Sequence, residues 1–421
     1  MFHLSKPSNS VLAIAAILLV VSLEPVAAAG TSLSDPDRVR RWTDDLEFFA
    51  GELPKRHINL FFTLPEDEFA ERIDVLKAGI PTMEDYEILV ALMRITAAIG
   101  DSHTMLSADR TGAFSRLPIS LTWFSDGLYV TRTIPAYRDI LGKRLTGIEG
   151  NDVYEVSRRV GEILPCDNAS QLRLRAPGSM VIPEVLAALG LAAGPDSVLL
   201  NIEGAGSLWL PAFEMNEDLE WIALRDQLDC DPPLYRQHAD SVYWYRYLAD
   251  SRTVYVHYRA CVEMKARPFR TFATELLDFI DTQQVDKVAL DLRYNGGGNS
   301  AIAQPLIRGL AQRDKFSQEG RLFVIVGRRT FSSAMLNSLD LRDNTGALFV
   351  GEETGGKPNH FGEVGFFMLK GSGATVTYSK KHFVRYEIDE PSLSPDIAAD
   401  ISFSDYRSCR DPVLEAILNH Q

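Results

Sequence analysis

The spacing of apolar positions changes along the chain. Between Asp35 and Leu106 it is helical: Trp42, Leu46, Phe49 and Leu53 recur at three- and four-residue intervals. Met83 to Ala98 repeats that period with acidic residues in its first turn, and Gly100 ends it. These two runs predict an N-terminal helical region over residues 35–110, with Asp101-Ser-His-Thr104 in the turn after the second helix.

From Leu117 the period shortens to strands separated by turn residues, Ile119–Trp123 and Leu128–Thr133 flanking Asp126-Gly127. Arg144–Gly150 followed by Asp152-Val153 gives strand, tight glycine turn and helix in that order, which resembles the second half of a PDZ-like module. The Ala-, Gly- and Pro-rich stretch from Pro177 to Gly206 reads as the end of that unit, so a PDZ-like α+β module is expected over 111–206. After Tyr243 the pattern alternates. Arg252–Tyr258, Val288–Leu292, Leu322–Val326 and Leu348–Val350 are short apolar runs, and Phe269–Ile280, Ala301–Ala311 and Ala334–Leu341 between them read as helices. Alternation of this kind implies βαβ crossovers and a largely parallel sheet, an α/β catalytic domain over 240–421. Chemistry in such sheets collects at the carboxyl ends of the strands.

The first residues differ in kind. Lys6 precedes an apolar run from Val11 to Leu23, Glu24-Pro25 breaks it, and Val26-Ala-Ala-Ala29 offers small residues for cleavage. The run is short for a membrane span, which needs roughly 18 residues or more. Residues 1–29 therefore read as a secretory signal, and the rest as a soluble periplasmic or secreted protein without stable membrane insertion. The formal net charge of −14 leaves no basic footprint for nucleic acid. Cys166, Cys230, Cys261 and Cys409 show no CxxC spacing, which argues against structural zinc. An oxidising compartment permits up to two disulfides in three pairings, and free buried thiols fit the sequence equally.

Four loops carry candidate chemistry. Asp291-Leu-Arg-Tyr-Asn-Gly-Gly-Gly-Asn299 joins a buried strand to a helix, so successive glycine N–H groups can converge on an anion. Taken alone it is also a plain glycine turn, and without GxxxxGK[ST] it is no P-loop. Arg329-Thr-Phe-Ser-Ser-Ala334 again joins strand to helix, and a serine there stands at a helix N-terminus, as nucleophile or as simple cap. Gly351-Glu-Glu-Thr-Gly-Gly-Lys-Pro-Asn-His360 is a polar, glycine-rich loop. Asp101-Ser-His-Thr104 supplies a histidine far away in sequence.

In this order, and with Pro395-Asp396-Ile397 near the end, the motifs resemble the C-terminal processing and tail-specific proteases. The Asp-Ser-His-Thr element points to the branch of the tricorn core and the interphotoreceptor retinoid-binding proteins. The resemblance is firm over about 240–415 and looser before it. It implies a crotonase-like or ClpP-like catalytic domain, a polypeptide substrate, and no metal or other cofactor. Residue by residue, the nucleophile falls on Ser332 and the general base on His103. The orienting acid, six residues before Pro395, falls on Asp389, with Glu390 as its neighbouring alternative. The oxyanion donors fall on the N–H groups of Gly297 and Ser333. Lys357, 25 residues after Ser332, stands where Ser-Lys members carry their base, and Ser102 is the other half of the Ser-His pair. Two positions depart from the family: Met335 replaces the usual Glu three residues after the nucleophile, and the acid is aspartate.

The chemistry implied is acyl transfer, with Ser332 activated by His103 and the oxyanion held by backbone N–H groups. A second reading on the same fold is a catalytically silent protein that binds peptides or apolar ligands, because fold does not fix function. The substrate and the oligomeric state stay open at this point.

Overall fold

The computed structural model describes residues 32–421; the expected signal segment lies outside them. At the centre, Thr253–Tyr258, Lys287–Asp291, Leu322–Val326, Leu348–Gly351 and Ile397–Ala398 pair in parallel in that order. Tyr243–Leu248 closes the other edge, antiparallel to Thr253–Tyr258. Parallel neighbours require crossovers, and the helices Phe269–Thr282, Gln304–Ala311 and Ser333–Asn344 lie between these strands in sequence. Thr253–Tyr258 and Leu322–Val326 are buried at every position, as two covered faces demand. Val254, Val256, Leu290 and Val324 meet Phe272, Leu276, Leu306 and Leu339 on one face. Tyr255, Ala289, Phe323 and Ile325 meet Val413, Leu414 and Ile417 of the helix Pro412–Asn419 on the other. The helix expected over 301–311 starts as a 3-10 turn, Ser300–Ala303, because Pro305 occupies the first α-helical turn.

Before this sheet comes an antiparallel one. It is ordered Ile222–Ala223, Gly127–Thr133, Arg144–Ile148, Ser197–Ile202, Gly206–Pro211, and Ile119–Phe124 also pairs with Gly127–Thr133. The stretch from Pro177 to Gly206 therefore does not end the unit. Ser197–Ile202 alternates half-buried and buried residues and sits inside the sheet, so local composition gave way to strand pairing.

The helices Pro36–Arg56, Glu66–Gly79 and Asp85–Ala98 bury Trp42, Leu46, Phe49, Leu89 and Leu92 in a core of their own. That core is completed from the far end of the chain. The hairpin His360–Met368 and Thr375–Phe383 adds Phe367, Leu369 and Val376, and Leu106–Ser107 pairs with it. This long-range packing fixes the turn at 101–104, where Thr377 Oγ1 donates to the His103 carbonyl at 2.8 Å. Cys230 and Cys409 form a disulfide, while Cys166 and Cys261 are free thiols, which resolves the alternatives left by the sequence. Among the described residues no helix is long and apolar enough to cross a membrane.

Candidate active site

Six residues after the end of the strand Leu322–Val326 stands Ser332, where the chain reverses into the helix Ser333–Asn344. Its backbone has φ of 53° and ψ of −124°, left-handed for a residue with a Cβ. Such a conformation costs about 1–3 kcal/mol and persists only where its surroundings enforce it. Here they do. Phe331 N–H donates to Asn295 O at 3.2 Å, and Thr330 Oγ1 donates to Leu292 O at 2.9 Å. The Ser332 hydroxyl makes no capping bond to the helix it precedes, so the cap alternative does not describe it. The Ser333 hydroxyl is committed, donating to Gly298 O at 2.7 Å. A strand-to-helix elbow that presents a strained serine is the arrangement by which many hydrolases expose a nucleophile.

The glycine loop lies against this elbow. A Cβ at Gly297 would stand 2.8 Å from Ser332 Cβ and 3.0 Å from Ser333 N, so only glycine fits there. Its own N–H, however, donates to Asn295 Oδ1 at 3.0 Å. Of the two oxyanion donors read from the sequence, the structure therefore leaves the Ser333 N–H unpaired and engages that of Gly297. The N–H of Gly298 has no partner among the described residues and is the next candidate. Asn295 is what the sequence reading missed: fully buried, it anchors its amide on Tyr258 O at 3.0 Å and turns the second glycine amide, that of Gly297, inward.

His103 reaches the elbow from the N-terminal helices. Its buried ring stacks on Phe331, centroids 4.3 Å apart, one residue before Ser332. Neither ring nitrogen has a hydrogen-bond partner, so the serine–histidine bond is not formed in this structure. Burial lowers the imidazole pKa to about 4; Asp101 opposes the shift, while His360 and Arg175 add to it. At neutral pH the ring is uncharged and can accept a proton.

The orienting acid is a correction. Asp389 sits on an exposed loop and faces Lys357 Nζ at 3.6 Å; neither it nor the exposed Glu390 bonds to the imidazole. The carboxylate beside His103 is Asp101, whose Oδ1 accepts the His103 N–H at 3.0 Å and lies 3.9 Å from Nδ1. Burial alone would raise the Asp101 pKa. Hydrogen bonds from His57, Thr104 and the His103 N–H, with the Ser379 hydroxyl nearby, outweigh it and bring the value to about 2. Asp101 was legible as part of the Asp-Ser-His-Thr turn, where an aspartate caps the N–H two residues on.

Ser102 makes no hydrogen bond to Ser332. Its hydroxyl is buried without a partner and lies near Asp167, outside hydrogen-bond geometry. Lys357 is held by the glycine loop 351–360, which presses on the nucleophile loop. A Cβ at Gly355 would stand 2.0 Å from Arg328 O, and Gly356 N–H donates to Thr330 O at 3.0 Å. Met335 is buried in the helix behind the elbow. No group of three or more His, Cys, Asp or Glu among the described residues is arranged to hold a metal ion.

No family model and no curated protein matches the chain. Solved structures do. Mature CPAF complexed with lactacystin aligns with a TM-score of 0.61 at 13% identity, covering 91% of this chain and 99% of that one. Mature CPAF gives 0.60 at 13% identity over 90% and 96%. The photosystem II D1 C-terminal processing protease gives 0.39 at 15% identity over 90% and 96%. At such identities the likeness is one of fold: this chain has the mixed α/β fold of mature CPAF.

Proposed function

We propose that the chain is a serine peptidase that hydrolyses polypeptides through an acyl-enzyme on Ser332. The observation that carries this reading is the strained elbow, with its uncapped hydroxyl on the residue after Phe331, against which a buried, neutral histidine stacks. Ser332 Oγ attacks the scissile carbonyl carbon and its proton passes to His103 Nε2. The C–N bond breaks and the amine leaves with that proton; water, deprotonated by His103, then adds to the acyl carbon, the ester bond to Ser332 Oγ breaks, and His103 returns the proton to Ser332 as the acid product leaves. The oxyanion is assigned to the N–H groups of Ser333 and Gly298 at the N-terminus of the helix. Asp101 takes the role expected of Asp389. Closing Nδ1 to hydrogen-bond range requires about 1 Å of ring movement, the kind of tightening that accompanies substrate binding. The catalytic unit is read as crotonase-like or ClpP-like, the insert as PDZ-like, and the product as an exported protein.

Peptidase assays on two variants test this. Ser332→Ala should abolish turnover with the fold intact, whereas Ser333→Ala keeps substantial activity; equal loss in both would reject the assignment. The unpaired ring of His103 favours a second reading, a silent peptide-binding protein. It requires wild type and Ser332→Ala to bind peptides alike and turn over none.

A further inference from the structure

The space around the elbow is rich in arginine, in a chain whose net charge is −14. Three cavities meet at Tyr294 and Arg329. One, of about 150 Å³, lies against Gly296 and Phe331 with Arg175, Arg328 and Arg329 in its wall. A second, of about 330 Å³, adds Arg173 and Arg293 between the insert and the central sheet. The third, of about 570 Å³, adds Arg225, Arg236 and Arg259.

Some of these charges are spent. Arg293 is buried between Asp291 and Asp411, Arg328 meets Glu352 and Asp400, and Arg225 meets Asp226. Arg173, Arg175, Arg236, Arg259 and Arg329 have no carboxylate within 4 Å among the described residues. Arg173 and Arg175 are held in place through the carbonyls of Phe124, Ser102 and Pro165. Arg329 is exposed at the junction of all three cavities. Four buried polar atoms belong to residues lining the same space and have no partner, Trp123 Nε1, Tyr235 Oη, Arg236 Nη1 and His257 Nδ1. Guanidinium groups without a carboxylate partner and orphaned polar atoms around three adjoining cavities describe a groove suited to an anion with several oxygens.

We propose that this groove is a subsite for acidic polypeptide, seating Asp or Glu side chains on Arg175, Arg329 and Arg236 beside the elbow. The inference rests on the peptidase reading for its substrate class. Planar guanidinium groups recognise carboxylates bidentately, and a row of them steers an acidic chain toward the groove.

C-terminally amidated peptides that differ only in Glu, Gln or Lys test this, because no terminal carboxylate can then contribute. Binding is measured on Ser332→Ala and cleavage on wild type. Glu peptides should bind about tenfold tighter than Gln peptides at low salt, with the advantage shrinking as salt rises. Arg329→Gln and Arg236→Gln should collapse that ratio, while Lys370→Gln, on the exposed hairpin turn, should keep it. Equal binding of Glu and Gln peptides, or a ratio untouched by Arg329→Gln, would overturn the assignment. If Glu peptides bind selectively but wild type cleaves nothing, the groove stands and the peptidase reading falls. If wild type cleaves Gln and Lys peptides as well as Glu peptides, the groove falls alone.

Discussion

Replacing Asp167 by asparagine should stabilise the protein at neutral pH and leave it unchanged in acid. Asp167 precedes the helix Ala169–Ser179, and its Oδ2 is buried without a partner. Burial pushes its pKa from 3.8 up to about 6; the nearby Ser102 hydroxyl and the charge of Lys357 offset part of the rise. For an acid with a raised folded-state value the sign is fixed. Below 3.8 it is protonated folded and unfolded and costs nothing. Above 6 it is charged in both states, and the folded one bears the desolvation. The difference, 6 − 3.8 = 2.2, amounts to about 3 kcal/mol, an upper bound for a half-buried residue. Asn keeps the shape and removes the charge. Urea unfolding of both proteins at about pH 4 and pH 8 should show a gain approaching that figure only at the higher pH. A variant no more stable at pH 8, or equally stabilised at both, would refute the argument.

Because burial lowers the His103 pKa to about 4, kcat/KM should climb with pH through an ionisation well below the ordinary histidine value and be level from about pH 6 upward. A midpoint at the ordinary histidine value of about 6.5 or above would contradict the buried geometry. His103→Ala should lose several orders of magnitude in kcat/KM, and Lys357→Ala, whose amine faces Asp389, far less; the reverse ranking would make lysine the base. Gly355→Ala would drive a Cβ into Arg328 O and should lower stability by about 2–4 kcal/mol in thermal unfolding, with loss of activity as the nucleophile loop shifts.

Much of the central sheet was legible because its strands are covered on both faces and so read as unbroken apolar runs. Leu322–Val326 was found to the residue, and Ser332 at the following junction. What escaped was set by partners distant in sequence. The hairpin 360–383 packs on helices some 300 residues earlier, and no local pattern announces that. Motif spacing chose Asp389, yet the loop that carries it is exposed and the turn at Asp101 sits beside the imidazole. Likewise the glycine run marked an array of amides. Which amide stays free depends on the side chain of Asn295, which turns back on Gly297.

The most direct test of the central claim is to treat the protein with a fluorophosphonate, a serine-directed phosphonylating probe, and locate the adduct by mass spectrometry. The strained elbow and its neutral histidine require one adduct, on Ser332, that fades in His103→Ala and not in Lys357→Ala. No adduct on folded protein, or an adduct on Ser333, would contradict it.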